Sequence, residues 1–215
     1  MIRRTAFAIA AAFLTGGALL PAVTGISAIP AATAQEAATS EVKVMSMGDP
    51  QAPVEVIEYA SFTCPHCANF AIDVFPRFKR DYIDTGKVHF INREVYFDRP
   101  GLWAGMVARC GDGSRYFGIA DMIYEKQKDW TQGQPAQIAG NLRKLGRAAG
   151  LEDAQLDACL TDADKAQAMV KVFEETSQAD GINATPTFMI DGEKYANMSY
   201  DDFRKILDEK LAAKQ

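Results

Sequence analysis

Apolar and polar residues follow two different periods early in the chain. Short apolar runs at 42–45, 54–59 and 87–97 have the length and composition of β-strands. Between the last two runs, residues 67–84 carry apolar side chains at helical spacing and predict a helix. Pro76 lies inside this helix, and we expect a kink there because proline removes a hydrogen bond and clashes one turn back.

A helical period then continues from about 102 to 179. Strand-like residues return at 187–190, and Asp191-Gly192 predicts a tight hairpin turn into a second strand at 193–195. A capping-box sequence at 199–202 precedes a final helix. This pattern predicts an α/β protein in which a β-α-β unit precedes the helices and a β-β-α unit follows them.

The segment 1–34 has the composition of a secretory signal. A pair of arginines forms its charged start, residues 7–20 are mostly apolar, and Ala32-Thr33-Ala34 offers a cleavage site. The alternative is an uncleaved membrane anchor, but glycines and a proline interrupt the apolar run short of the about 20 residues that span a bilayer. We therefore expect export, with residues 35–42 as a flexible lead-in.

Charge and cysteine content narrow the classes of function. The chain has 215 residues, 48% of them hydrophobic, which suffices for one core of ordinary size. The predicted signal holds two basic and no acidic residues, so the exported chain is more acidic than the whole chain with its net charge of −5. This balance argues against nucleic acid as a partner. All four cysteines follow the signal, and an exported chain keeps cysteines either paired or in redox use.

The motif Cys64-Pro65-His66-Cys67 lies where the predicted strand gives way to the helix. Cys64 is thereby placed at or near the helix N-cap, where free backbone N–H groups and the helix dipole favour an anion. The anion is a thiolate, the nucleophile of disulfide exchange, and such settings lower a thiol pKa to roughly 3.5–7.5. His66 adds a donor and, when protonated, a positive charge beside the sulfur. A stabilised thiolate favours the dithiol form, so the disulfide form is an oxidant.

A metal site is the alternative use of these two cysteines. A structural zinc ion takes four ligands, but no second cysteine pair lies nearby and the only other histidine is His89. Copper delivery through Cys64 and Cys67 as soft ligands stays open as a second class of function. A non-catalytic chaperone is the third.

Strand, Cys-Pro-His-Cys and helix together resemble the thioredoxin superfamily, and the Pro65-His66 pair resembles its DsbA branch of exported thiol oxidases. The resemblance extends over essentially the whole chain after the signal. It implies an α/β thioredoxin fold whose two parts, 43–98 and 180–215, flank an inserted helical domain at 99–179.

The resemblance also gives roles to the motif. Cys64 and Cys67 are expected to form a redox-active disulfide. Cys64 begins the helix and is the expected nucleophile, whereas Cys67 lies one turn inward and is expected to resolve mixed disulfides. Pro65 falls near the first helical position, which tolerates proline well, and His66 is expected to act directly on the energetics of the thiolate.

Thr185-Pro186 precedes the first strand of the hairpin. Only about 5–6% of X–Pro bonds are cis in general, but the resemblance implies a cis Pro186 packed against the dithiol. Proline has no N–H to compete for the sulfur, and the backbone of Thr185 is then free to pair with an extended client peptide. Threonine departs from the valine of the best-known DsbA, which leaves the oxidising strength open.

Glu58 stands six residues before Cys64, at a position where the resemblance implies a buried acid. A desolvated carboxyl has a raised pKa and can accept the proton of Cys67 during exchange. The alternative is a surface glutamate at a strand end, and its apolar neighbours do not decide between the two. Arg93 and Lys87 are the candidate counter-cations.

Cys110 and Cys159 lie on apolar faces of the predicted helices. A second, structural disulfide is expected in an oxidising compartment, as in DsbA relatives from alphaproteobacteria, and two buried free thiols are the alternative. Closing a loop of about 49 residues stabilises a fold by roughly 4 kcal/mol on the chain-entropy model.

The resemblance implies the function of a periplasmic thiol:disulfide oxidoreductase, an enzyme that introduces disulfide bonds into exported proteins. Its expected partners are reduced or unfolded exported proteins and a quinone-linked membrane protein resembling DsbB that reoxidises it. No organic cofactor and no metal is expected. Reductases and isomerases, for example in cytochrome maturation, use the same scaffold and are the main alternative.

Overall fold

The computed structural model describes residues 42–214, which form a five-stranded mixed sheet with helices in its long connections. The strands are β1 Met45–Met47, β2 Val54–Ala60, β3 Val88–Glu94, β4 Thr187–Ile190 and β5 Glu193–Ala196. They lie in the order β1-β3-β2-β4-β5. β2 and β3 are parallel, and the other neighbours are antiparallel.

Helices fill the connections of this sheet. Between β2 and β3 one continuous helical stretch comprises α1 Pro65–Asn69, a π-helical segment Phe70–Val74, α2 Phe75–Phe78 and a second π-helical segment Lys79–Ile83. β3 and β4 are joined by α3 Arg99–Ala108, α4 Tyr116–Glu125, α5 Gln127–Trp130, α6 Pro135–Ala148, α7 Asp153–Thr161 and α8 Ala163–Ala179. After β5 comes α9 Tyr200–Ala212. The predicted α/β order is observed.

Pro76 follows directly after the start of α2. Regular α-helix is disfavoured there because proline has no N–H and its ring clashes with the carbonyl four residues earlier. The structure accommodates the proline with π-helical turns before and after α2 and without a break in the helical stretch. This stretch begins at Pro65 rather than at residue 67, so the helix reaches back to the first cysteine of the motif.

The first strand is shifted relative to its prediction. The run at 42–45 predicts a strand, but β1 covers Met45–Met47, and Val44 is 64% exposed. Antiparallel pairing with β3 determines this register, because it places a buried Met45 opposite Asn92 and leaves Val44 outside the ladder. An alternating pattern alone does not contain that information.

The buried apolar side chains form two clusters. The first lies between the sheet, the helical stretch 65–83 and α9, and it is rich in phenylalanine rings. The second fills the helices of 99–179 and includes Phe62 and Cys67. The motif therefore lies where the two clusters meet.

The predicted signal at 1–34 and all but the last residue of the lead-in at 35–42 lie outside the described residues. Between residues 42 and 214, no helix has both the length and the apolar character needed to cross a bilayer. The division into domains at 43–98, 99–179 and 180–215 stays a prediction.

Cys110 and Cys159 form a disulfide. It ties the chain just after α3 to the last turns of α7, with the two Cα atoms 5.7 Å apart. The linked positions are 49 residues apart in sequence, so the bond closes a large loop within the helical region.

Replacing both Cys110 and Cys159 by alanine is expected to lower the free energy of unfolding by about 4 kcal/mol, because the unfolded chain is no longer held in a loop. Urea unfolding measures this loss best in a background with alanine at 64 and 67, where no other cysteine can oxidise. The control is the same background with the disulfide intact, and reductant added to it should remove a similar free energy. A double variant as stable as that parent would contradict the prediction.

Candidate active site

Cys64 occupies the N-cap of α1. β2 ends at Ala60, and the chain turns so that the backbone N–H of Cys64 donates to the Ser61 carbonyl at 3.1 Å. Cys64 has an extended backbone, with φ −83° and ψ 119°, and Pro65 takes the first helical position. Proline suits that position because its missing N–H would have no partner there. The end of β2 thus places the Cys64 sulfur next to the first turn of the helix, whose backbone N–H groups have no partner within the helix.

The Cys64 thiol is half-buried and acidic. Its pKa falls to about 5, first because the Cys67 thiol donates a hydrogen bond to the Cys64 sulfur. Burial acts in the opposite direction, and donors from the Thr185 side chain and the backbone N–H groups of Cys67 and His66 lower the pKa further. At neutral pH Cys64 is therefore a thiolate, the form that attacks and leaves in disulfide exchange.

Cys67 is the opposite case, a fully buried sulfur with a raised pKa. The hydrogen bond to Cys64 raises it most, followed by burial and by the charge of Glu58. Both motif cysteines are free thiols in the structure, which is the dithiol form. Among residues 42–214, no three His, Cys, Asp or Glu side chains come together in a group that could hold a metal ion.

Pro65 and His66, between the two cysteines, are exposed to solvent. His66 acts on the Cys64 sulfur through its backbone N–H, whereas the sequence predicts that role for the imidazole. The N–H groups of a first helical turn point towards the N-cap side chain, and the side chains of that turn point outward. The backbone of His66 therefore supplies the donor.

The loop before β4 faces Cys64. The Thr185–Pro186 peptide bond is cis, and the Cys64 Sγ lies 3.4 Å from the Thr185 carbonyl oxygen. Pro186 is buried and has no N–H, so the backbone at that residue offers no donor to the sulfur. Thr187 begins β4 and holds the loop by donating its hydroxyl to the Ala184 carbonyl at 2.8 Å.

Glu58 is buried on β2, with 7% of its surface exposed. Burial raises the pKa of its carboxyl to about 8, and the negative charge of Cys64 acts in the same direction. Glu58 is therefore protonated at neutral pH. It is a buried acid beside two sulfurs, and the alternative of a surface glutamate does not hold.

Neither candidate counter-cation pairs with Glu58. Arg93 lies opposite Tyr59 in the β2–β3 register, so it points to the other face of the sheet and pairs with Asp180 at 2.9 Å. Lys87 donates to a main-chain carbonyl of the preceding helical stretch. The expectation of Arg93 or Lys87 as partner was wrong.

Gln127 is a site residue that the sequence pattern does not predict. Its buried side-chain amide reaches from α5 and donates to the carbonyls of Phe62 at 2.8 Å and Cys64 at 3.0 Å. In the sequence, Gln127 is a glutamine between two apolar helical stripes. Nothing in that pattern indicates that its amide donates to the carbonyls of Phe62 and Cys64. On the other side of the loop, the Thr63 hydroxyl donates to Asp98 at 2.8 Å.

A groove of about 420 Å³ borders the motif. Its lining includes Thr63, Pro65, Asp98, Gln127, Lys128 and Thr131, and more of its exposed wall area is apolar than polar. The groove offers room for a peptide segment next to the motif.

Comparisons with known sequences place this site in a family. A family model described as thioredoxin matches residues 40–209. Disulfide bond formation protein D of Bacillus subtilis is 26% identical over 178 residues, which cover 78% of this chain and 77% of that protein. Relatives from Rickettsia bellii and Rickettsia prowazekii are 28% and 29% identical over 168 residues, and the chain spans 64% and 61% of their length, a little under two thirds.

Solved structures share the fold. The crystal structure of alpha-DsbA1 from Wolbachia pipientis has a TM-score of 0.73 and 27% identity, covering 80% of this chain and 92% of that one. BdbD from Bacillus subtilis has a TM-score of 0.69 and 25% identity, covering 78% and 92%. The chain belongs to the thioredoxin family, and the solved structures that it resembles include proteins of the DsbA type.

Proposed function

We propose that this protein is a periplasmic thiol:disulfide oxidoreductase that introduces disulfide bonds into exported proteins through Cys64 and Cys67. The observation that carries the proposal is the inequality of the two sulfurs. The pKa of Cys64 is lowered to about 5, and that of the buried Cys67 is raised. Because the dithiol form holds a stable thiolate, reduction of the Cys64–Cys67 disulfide by a client lowers the free energy.

The reaction proceeds in two exchange steps. A client thiolate attacks the Cys64 sulfur, a client–Cys64 bond forms, and the bond to Cys67 breaks with its electron pair left on the Cys67 sulfur. Glu58, protonated at neutral pH, gives this buried sulfur its proton. A second client thiolate then attacks the client sulfur, which closes the client disulfide and releases the Cys64 thiolate. Attack by Cys67 on the mixed disulfide reverses the first step and frees a stalled client.

Client binding uses the surfaces beside Cys64. The backbone of Thr185 pairs with an extended client segment as an added strand. The groove beside Pro65 receives neighbouring client residues. The contact at Thr185 is to main chain and does not depend on the client's side chains, which suits an enzyme that accepts many unfolded sequences.

Export and reoxidation complete the proposal. Residues 1–34 act as the signal and 35–42 as a lead-in, and the helical insert 99–179 separates the thioredoxin parts 43–98 and 180–215. A quinone-linked membrane protein resembling DsbB takes the two electrons of the dithiol. The exchange steps use sulfur and one carboxyl group and involve no cofactor of the protein itself.

Equilibration in glutathione buffers of known ratio tests this function. We expect a reduction potential well above the about −270 mV of thioredoxin and closer to the about −120 mV of DsbA. The disulfide form should also oxidise a reduced model protein stoichiometrically. A potential as low as that of thioredoxin would assign the protein to the reductases instead.

Replacing Thr185 by valine is expected to raise the pKa of Cys64 by about one pH unit, because the variant lacks the hydroxyl donor to the thiolate. Titration of the thiolate absorbance in the ultraviolet measures the change. A less stable thiolate also makes the disulfide a weaker oxidant. Thr185→Ser keeps the hydroxyl and is the control, which should titrate like the wild type. Equal midpoints for the valine and serine variants would contradict the assignment.

A further inference from the structure

We propose that Asn92 is a positioning residue that presents a buried hydrogen-bond acceptor to the protonated carboxyl of Glu58, and that Tyr116, Glu94 and Arg109 hold it in this orientation. The inference rests on the proposed function, because it concerns the carboxyl that serves Cys67. It goes further by naming the groups that keep this carboxyl in its acid form.

The placement comes from the sheet register. Glu58 of β2 lies opposite Asn92 of the parallel strand β3, so the two side chains leave the same face of the sheet on neighbouring strands. Both residues are 7% exposed. On the other side of Asn92 the neighbour is Met45 of β1, which has no polar hydrogen to donate. Of these two neighbours, Glu58 is the one that can donate to Asn92.

Asn92 has an acceptor to offer. Its Oδ1 is buried and has no hydrogen-bond partner in the structure. A buried acceptor without a donor costs free energy. That cost is recovered when a neighbouring carboxyl is protonated and donates its O–H, and it is not recovered when the carboxyl is ionised and can only accept.

The amide of Asn92 is held in one orientation by a chain of hydrogen bonds. Its Nδ2 donates to the Tyr116 hydroxyl at 2.9 Å, and that hydroxyl donates to Glu94 Oε1 at 2.9 Å. Arg109 pairs with Glu94 and holds it in place, with Nε donating to the same oxygen at 2.7 Å. Since the hydroxyl has one proton and gives it to Glu94, it must accept from the amide. The Asn92 oxygen therefore cannot exchange places with the Asn92 nitrogen.

Other charged and titratable groups also face this region. α1 brings the Cys64 thiolate and the Cys67 thiol, and α4 brings Tyr124. From β3 and the end of α3 come the paired Glu94 and Arg109. Every one of these groups is kept in the variants proposed below, so a change in the Glu58 carboxyl can be assigned to the amide.

Tyr116→Phe tests the inference. Without the hydroxyl, the Asn92 amide can turn and donate its N–H to Glu58, which favours the carboxylate. We expect the pKa of Glu58 to fall by about one pH unit, measured on its carboxyl carbon by NMR in the dithiol form. Arg109 still donates to both oxygens of Glu94 in this variant, so the ion pair persists.

The decisive comparison repeats Tyr116→Phe in an Asn92→Leu background. There the tyrosine hydroxyl has no amide to orient, and the same substitution should leave the pKa of Glu58 unchanged. The inference would be overturned if Tyr116→Phe shifted the pKa of Glu58 equally in both backgrounds. It would also be overturned if the substitution caused no shift in the protein that keeps Asn92.

The wild-type protein offers a second measurement that needs no variant to fold. The side-chain carbonyl carbon of Asn92 should shift with pH at the same midpoint as Glu58, and a pH-independent Asn92 signal would also overturn the inference. These readouts are separate from the glutathione titration, so the proposed function and this inference can fail independently.

Discussion

Replacing Cys67 by alanine is expected to abolish turnover and to trap client proteins on Cys64. Without a second sulfur the protein cannot form its internal disulfide, so it has no oxidising equivalent to transfer. The Cys64 thiolate still attacks client disulfides, and the resulting mixed disulfide persists because no neighbouring thiol attacks it. Mass spectrometry of the variant isolated under non-reducing conditions measures the trapped clients.

Cys64→Ala is the matched control for this trapping. It keeps Cys67, but that sulfur is fully buried and its pKa is raised, so it is neither accessible nor ionised. We expect loss of turnover in both variants and trapped clients with Cys67→Ala alone. Equal trapping by the two variants would show that the nucleophile has been assigned to the wrong sulfur.

Glu58→Gln is expected to slow client oxidation by about tenfold or more, because glutamine cannot give Cys67 the proton it needs on leaving. Stopped-flow measurement of the disulfide form with a dithiol peptide gives this rate. Glu55→Gln on the same strand is the control, since Glu55 is half-exposed and its carboxylate lies 3.8 Å from the Nδ1 of His89. A Glu58 variant that reacts as fast as the Glu55 control would exclude Glu58 as the proton donor.

The same substitution should also stabilise the dithiol form in a pH-dependent way. The ordinary pKa of a glutamate is 4.5, and the pKa of Glu58 in the folded protein is about 8. The folded protein therefore binds this proton more tightly than the unfolded chain does. The stability that Glu58 contributes is therefore fully present below pH 4.5 and is lost as the pH rises to about 8. Glutamine does not ionise. At the upper end of this range we therefore expect the free energy of unfolding of Glu58→Gln to exceed that of the wild type by roughly 4 kcal/mol.

Denaturant unfolding at several pH values measures this difference. The curves for the two proteins should approach each other at acidic pH and separate as the pH rises. A constant offset across the range would mean that Glu58 has the same pKa in the folded and the unfolded protein, so that burial does not raise it.

Local rules explain why the core of the site could be predicted. The N-cap position of Cys64 follows from the end of an apolar strand and from a proline at the next residue, both of which are visible over a few residues. The position of β1 could not be predicted in this way. Both possible registers alternate equally well, and the choice is made by pairing with β3, more than forty residues further along the chain.

The surroundings of the motif depend on contacts that no local pattern contains. Alternation indicates which sheet face Glu58 occupies, but its burial requires a helix to cover that face. Gln127 and Tyr116 come from helices far along the chain, and their partners are main-chain carbonyls or single polar atoms. Such pairings leave no periodic signal in the sequence, so only the assembled fold shows them.

The hydrogen bonds of Gln127 to the motif loop limit how this protein can be recombined with its relatives. Suppose that a chimera takes residues 99–179 from another protein and places an apolar side chain where Gln127 stands. The carbonyl of Phe62 would then lose its side-chain donor, at a cost of about 1–3 kcal/mol for a buried group left unpaired. The carbonyl of Cys64 would keep only the backbone N–H of Ala68. A successful graft must therefore carry its own amide to this point, however well its apolar surface fits.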